Sequence, residues 1–287
     1  MNQKSILPFG SRTFIMGIIN LTPDSFSGDG LLSRQNAVDA AVKQALHFVE
    51  DGADILDLGA ESTRPGSSQV DAEIELERLL PSLQRILALD LKVLISIDTS
   101  KARVAQGCLD AGAHMINDVW GLQKDAELAA VAARYAAPVI LMHNRSDASR
   151  VHRSQSLGNQ YQASDYQDLM QDISRELLES VQIARQAGIP DSHVILDPGI
   201  GFGKTVQQNL NIIKNLHQLK ELGYPVLLGP SRKSFIGYTL DLPVEERLEG
   251  TAAAVAVGIM NGADIIRVHD VREMTRVARM CDAILRS

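Results

Sequence analysis

Val93-Leu-Ile-Ser-Ile-Asp98 is an apolar run of strand length that ends on a carboxylate, and the chain repeats this arrangement along its whole length. Phe14-Ile-Met-Gly-Ile-Ile runs into Asn20, Asp54-Ile-Leu into Asp57, and Met115-Ile into Asn117-Asp118. Val139-Ile-Leu-Met leads to His143 and Val194-Ile-Leu to Asp197. Val226-Leu-Leu-Gly leads to Ser231-Arg232-Lys233, and Ile265-Ile to Arg267 and His269. Runs that are continuously apolar mark parallel strands buried on both faces. Helical patterns near 35–51, 72–89, 101–112, 125–136, 164–187, 206–222, 245–261 and 271–285 lie between and after them. Several of these stop at glycine, as in Asp51-Gly-Ala and Ala187-Gly-Ile-Pro, the residue that takes positive φ most cheaply. Eight strand–helix units with no shift in composition predict one α/β domain over residues 1–287, a (β/α)₈ TIM barrel. A doubly wound open sheet is the alternative, because counting units does not establish closure. In a closed barrel the polar strand ends converge on one rim, where barrel enzymes carry their active sites. That convergence is the argument for an enzyme.

Composition agrees. The chain has 287 residues, of which 45% are hydrophobic and only 4% aromatic, so its core must be aliphatic, as barrel layers are. A net charge of −7 offers no footprint for nucleic acid or a membrane surface, and an anionic substrate would need local positive charge. Met1 to Gly10 lacks the apolar core of a signal peptide, and the apolar stretch from Ala252 to Met260 is too short to span a bilayer. Cys108 and Cys281 sit in helical patterns and read as two buried thiols. A soluble cytoplasmic protein is expected.

Three connections are long for strand-to-helix loops: Leu21 to Arg34, Gly59 to Val70, and Arg145 to Ala163. The third is rich in Ser, Gln, Asn and Arg and reads as a solvated, mobile loop. The first, Asn20-Leu-Thr-Pro-Asp-Ser-Phe-Ser-Gly-Asp-Gly30, is turn-rich but carries Phe26, which suits a lid closing on an aromatic substrate. The second, Gly59-Ala-Glu-Ser-Thr-Arg-Pro-Gly66, carries Arg64, which taken alone is a surface charge. Gly199-Ile-Gly-Phe-Gly-Lys-Thr205 looks like a phosphate loop, yet Pro198 stands where the Walker pattern needs glycine, and the dinucleotide spacing fails as well. What remains is Asp197-Pro-Gly at a strand end, with glycines that let a flat ligand approach the backbone.

Asp98, Asn117 and Asp197 are the central chemical clue. Any one of them reads as a helix N-cap. Together on barrel strands they offer acceptors and one donor–acceptor amide, which suits a heterocycle with an amidine-like N–H face such as a 2-amino-4-oxopyrimidine. Clustered carboxylates also hold metals or share a proton, so this step alone leaves both open. Ser231-Arg-Lys-Ser234 places two cations after strand seven, and Arg267 and His269 stand at the end of strand eight. Loops after strands seven and eight are the usual barrel site for phosphate. His114 and His143 have no partners at metal-ligand spacing and stay unassigned, and no zinc constellation is present in the sequence.

From Ile15 to about Val271 the chain resembles the dihydropteroate synthase family of pterin-binding enzymes. The resemblance rests on Asn20-Leu-Thr-Pro-Asp-Ser-Phe-Ser, Glu61-Ser-Thr-Arg-Pro-Gly, Ile97-Asp-Thr-Ser-Lys and Ile116-Asn-Asp-Val. It extends through Leu196-Asp-Pro-Gly-Ile-Gly-Phe-Gly-Lys, Ser231-Arg-Lys-Ser and Arg267-Val-His-Asp-Val. It implies condensation of (7,8-dihydropterin-6-yl)methyl diphosphate with 4-aminobenzoate, Mg²⁺ as cofactor, sulfonamide sensitivity and a homodimer. Carried over by motif, Asp98, Asn117, Asp197 and Lys233 hold the pterin, and Asn20 binds the metal on the diphosphate. Arg267 and His269, with Thr63 and Arg64, grip the diphosphate, while Phe26, Thr63, Pro65, Lys233 and Ser234 shape the aminobenzoate site. Lys233, Arg267, Asp98 and Asp197 are the residues to which the resemblance gives catalytic weight. A non-catalytic pterin-binding paralogue and a pterin-dependent methyltransferase are the alternatives. The second would need neither the Arg-Pro-Gly loop nor Ser-Arg-Lys-Ser.

Overall fold

The chain alternates strand and helix as its sequence predicts, and the strands close. A computed structural model describes residues 7–22, 34–62, 69–147, 149, 151–152, 154, 156–161 and 165–287. Eight parallel strands, β1 (Phe14–Asn20), β2 (Ile55–Gly59), β3 (Leu94–Asp98), β4 (Met115–Asp118), β5 (Val139–Met142), β6 (Val194–Asp197), β7 (Leu227–Leu228) and β8 (Ile265–Val268), pair in the order β6-β5-β4-β3-β2-β1-β8-β7. The last gap, between β6 and β7, is bridged where the Leu196 N–H donates to the Pro225 carbonyl at 2.9 Å and Leu196 pairs with Val226. That bridge decides for the barrel over the open sheet.

Helices α1 (Arg34–Glu50), α2 (Ala72–Leu87), α3 (Ala102–Asp110), α4 (Leu128–Arg134) and α5 (Leu169–Gln186) cover the first half. The second half is covered by α6 (Val206–Lys214), α7 (His217–Lys220), α8 (Ser234–Leu240), α9 (Leu248–Met260) and α10 (Val271–Leu285). Thr205 and Gln208 start α6 with a reciprocal capping box. Helix α8, directly after Lys233, is not announced by any helical pattern in the sequence. The loop after β5 is not simply solvated. Its described residues include a two-stranded antiparallel ribbon pairing Val151 with Tyr161, and Arg247 donates to the Leu157 carbonyl at 3.0 Å.

Alternate residues of a strand face opposite sides, and here the two sides part company in chemistry. Outward residues such as Ile19, Leu58, Ile97, Leu141, Leu196 and Val268 join the large core shared with the helices. Inward residues Phe14, Met16, Ile55, Met115, Ile140, Ile195, Leu227 and Ile265 form a second, separate apolar plug inside the barrel, with Leu7 and Phe9 packed on it. Further along β2, β3, β4, β6 and β8 the inward series turns polar, giving Asp57, Ser96, Asp98, Asn117, Asp197 and Arg267. The barrel is apolar at its base and charged at its mouth. Cys108 and Cys281 are buried free thiols, as expected.

Candidate active site

The charged mouth is knit together by a carboxylate with no role in the sequence reading. Asp57 is fully buried, and its Oδ2 accepts from Asn117 Nδ2 at 3.0 Å and from Arg267 Nε at 2.6 Å. Arg267 Nη2 then donates to Asp98 Oδ2 at 2.7 Å. Four strands, β2, β3, β4 and β8, therefore meet in one chain of hydrogen bonds, Asp98–Arg267–Asp57–Asn117. Burial pushes the Asp98 carboxyl up to about 7, against the pull of Arg267 and with help from the neighbouring Asp57 charge. Burial works against the Arg267 charge as well, but Asp57 and Asp98 outweigh it and hold the guanidinium firmly protonated. Neighbouring Asp118 shows what an ordinary strand-end cap looks like. It takes Ser100 Oγ and the Trp120 and Leu122 N–H groups and faces its own turn.

Across the mouth, Asp197 Oδ1 accepts the Gly199 N–H at 2.7 Å. Its carboxyl is raised by burial and held back by the charge of Lys233. Burial lowers the Lys233 ammonium to about 8, and Asp197 is the first charge opposing that fall. Lys233 donates to the Ile200 carbonyl, and its ammonium lies 4.8 Å from the centre of the Phe202 ring. Phe202 stacks in turn on Tyr161 of the ribbon, ring centres 6.5 Å apart. Gly199 allows this turn to form. Its φ is +69°, and a Cβ there would lie 1.9 Å from the His143 carbonyl oxygen.

Of the predicted residues, the structure brings Asp98, Asn117, Asp197, Lys233 and Arg267 to one mouth. Asn20 is half-buried at the end of β1, paired in register with Gly59, which pairs with Asp98. His269 takes Ser231 Oγ at 3.0 Å on Nδ1 while its own N–H donates to the same oxygen at 3.2 Å, an arrangement that fits a ring protonated on Nε2. Ser234 opens α8. Phe26, Thr63, Arg64 and Pro65 lie outside the described residues.

The pair of cations after strand seven needs correction. Arg232 takes a left-handed backbone, φ +55°, and its guanidinium pairs with Asp270, Nε to Oδ2 at 2.8 Å. Only Lys233 of the two faces the site. His114 is a satisfied structural histidine whose Nδ1 accepts the Ile95 N–H at 2.9 Å. Sequence reasoning missed Asp57 and Phe202 as parts of the site. Asp57 carried the same signal as its neighbours, a polar residue on a strand end. Among the described residues no group of three or more His, Cys, Asp or Glu side chains is arranged to hold a metal. No described helix is long and apolar enough to cross a membrane.

The chain matches the pterin binding enzyme family model over residues 16–269. It is 50% identical to the dihydropteroate synthase of Clostridium beijerinckii over 278 residues, 96% of each chain. Its fold superimposes on a Clostridium difficile dihydropteroate synthase determined in the presence of pteroic acid, with a TM-score of 0.89, 45% identity, and 98% and 100% of the two chains covered. A Xanthomonas albilineans dihydropteroate synthase with 4-aminobenzoic acid gives a TM-score of 0.86 at 38% identity, covering 96% of this chain and 94% of that one.

Proposed function

The chain belongs to the pterin binding enzyme family and has the activity of a dihydropteroate synthase, and we propose how its residues divide that work. The reaction joins (7,8-dihydropterin-6-yl)methyl diphosphate to 4-aminobenzoate and releases diphosphate. In our reading Asp98, Asn117, Asp197 and Lys233 hold the pterin ring. The observation that carries this reading is the convergence of three acceptor-rich side chains from β3, β4 and β6 beside one buried ammonium. Ionised Asp98 and Asp197 accept ring N–H groups, and Asn117, fixed by its bond to Asp57, presents its carbonyl in a set direction.

Arg267 spends Nε and Nη2 on Asp57 and Asp98, which leaves its remaining N–H groups for an anion. With His269 it would take the diphosphate oxygens, and Thr63 and Arg64 would add to them. Mg²⁺ is the cofactor we infer, carried on the diphosphate with the Asn20 side-chain oxygen as its protein ligand. An ion with one protein oxygen would keep most of its coordination on substrate and water. Bound there, the ion would neutralise charge on the leaving diphosphate.

The bond from the pterin methyl carbon to oxygen breaks first, and its electron pair leaves with the diphosphate. Asp98 and Asp197 favour the resonance-stabilised cation left behind. The aryl amine, neutral at pH 7, then forms the C–N bond with its lone pair and loses a proton to solvent, so no strong base is needed. Phe26, Thr63, Pro65, Lys233 and Ser234 would shape the aminobenzoate site, and the Phe202 ring beside Lys233 supports its location. We also infer a homodimer in the cytoplasm. Helix α9 carries an exposed apolar stripe of Ala253, Val257 and Met260, the last two 47% and 50% exposed, which suits a second copy of the chain.

Diphosphate release by the purified protein, with Mg²⁺, the pterin diphosphate and 4-aminobenzoate omitted in turn, tests the whole scheme. Release requiring all three is expected. Tight pterin binding without release would return the non-catalytic reading.

A further inference from the structure

The glycine loop after β6 holds two lysines, and the function above uses only Lys233. Lys204 is 1% exposed, and its ammonium donates to the Gly199 carbonyl at 2.9 Å, the Phe202 carbonyl at 2.9 Å and His143 Nδ1 at 3.0 Å. Three donors meet three acceptors, the condition under which an ammonium can be buried. The imidazole behind it is equally determined. Burial lowers the Lys204 ammonium to about 7, but its N–H donates to Nδ1 in either state, so the ring proton sits on Nε2, 3.0 Å from Glu176 Oε2, and Glu176 is held by Arg145. Burial, and then the charge of Lys204, push His143 down to about 4, which keeps the ring neutral. An unbroken series, Arg145–Glu176–His143–Lys204, thus runs from the loop after β5 past α5 to the glycine loop, and Lys204 is sealed away from the mouth.

The other side of the turn from Gly199 to Gly203 serves Lys233. The Ile200 carbonyl accepts from its ammonium, and the Phe202 ring lies 4.8 Å from it. Gly201 sits against its stem, since a Cβ there would be 3.3 Å from Lys233 Cδ. The Gly201 N–H is pinned by Asn209 Oδ1 at 2.7 Å. With φ positive at Gly199, Gly201 and Gly203, the loop has no regular ladder of its own, and its carbonyls turn alternately to the two lysines. Without Lys204, the Phe202 carbonyl loses the group that orients it, and the Gly199 carbonyl keeps only the Phe202 N–H at 3.1 Å.

We infer that Lys204 is a positioning residue for Lys233: by holding the Gly199 and Phe202 carbonyls it aims the Ile200 carbonyl and the Phe202 ring at the ammonium used on the substrates. The inference rests on the assignment of Lys233 to those substrates. A double-mutant cycle separates the two claims, with kcat/KM read from diphosphate release and folding read from thermal denaturation. Lys204→Met keeps the stem and removes every donor. It should lower kcat/KM about tenfold to a hundredfold, the cost of an ångström-scale misplacement. Lys233→Met should cost at least as much, and the double variant should be no worse than Lys233→Met within about threefold, because the route is already cut. Losses that multiply in the double variant would make Lys204 merely structural and overturn the inference, as would full activity of Lys204→Met. An unaffected Lys233→Met would remove the underlying assignment, and that is visible before the cycle is closed. Should Lys204→Met not fold, Lys204→Gln, which retains a donating group without the charge, takes its place in the cycle: a smaller loss is expected, and a loss that multiplies with that of Lys233→Met overturns the inference.

Discussion

Replacing Asp57 by asparagine separates the charge of the buried knot from its shape. Two donors, Arg267 Nε and Asn117 Nδ2, converge on Oδ2, while Oδ1 is buried without a hydrogen-bond partner among the described residues. Asparagine must therefore keep its carbonyl where Oδ2 was and bury its amide where Oδ1 was. Both hydrogen bonds survive, but their acceptor loses its charge, and bonds to charged groups contribute about 1.5–3 kcal/mol against about 1 for neutral ones. Over two bonds the expected loss is about 2 kcal/mol, held down because Asp98 still neutralises Arg267. Asp57→Ala strands both donors and should cost about 3–5 kcal/mol. With an unfolding entropy of about 2.1 cal/mol/K per residue, these become Tm decreases of about 3 °C and about 5–8 °C for a chain of this length. Because Asp57 also aims Arg267, Asp57→Asn should lower kcat about tenfold, less than deleting an anion-stabilising donor outright. Calorimetry and steady-state diphosphate release give both numbers. Full kcat with the Tm loss would mean that Asp57 only ties the barrel together, and an unchanged Tm would refute the knot itself.

Pterin binding should follow the ionisation of Asp98. With its carboxyl raised to about 7, affinity for the pterin diphosphate measured by calorimetry should fall about tenfold per unit below that pH. The sign for stability is opposite. A carboxyl raised in the folded state binds its proton more tightly there, so the free enzyme should lose stability as pH rises from about 4 to about 7, and Asp98→Asn should make that slope shallower, the rest belonging to the other raised carboxyls such as Asp197. Gly199→Ala forces a Cβ within 1.9 Å of the His143 carbonyl at φ +69° and should cost about 3 kcal/mol or more. Gly188→Ala, with φ +94° but nothing within 4 Å, should cost only about 1 kcal/mol, so equal Tm losses would discount the clash. Val257→Glu on the exposed stripe of α9 should convert a sedimenting dimer into monomer, and an unaltered dimer would place the interface elsewhere.

Much of this was legible in the sequence because parallel strands and glycine-stopped helices leave local signals. The eight runs fall on the eight strands, and Asp98, Asn117 and Asp197 meet as their shared position at strand ends implied. The missing parts depend on geometry that no local window contains. Arg267 and Asp57 are 210 residues apart in sequence and meet only because the barrel closes. Arg232 and Lys233 look equivalent as neighbours, yet one left-handed residue sends Arg232 to Asp270. Lys204 was read against a phosphate-loop pattern and found wanting, and nothing in that test hints that it turns inward. The loop after β5 looked solvated because its composition is polar, while its described residues reach Arg247 and the Phe202 ring.

The inward–outward alternation of the strands also governs how an enzyme of this shape can diverge. A one-residue insertion within β6 would exchange Asp197 for Leu196 on the inner face, and every strand carries the same hazard. Length can therefore drift only in the segments between strands, whereas the mouth can be rewritten only one substitution at a time. Descent through this barrel should leave two separate records: gaps and duplications written into its loops, and an ungapped string of point changes written across its strand ends.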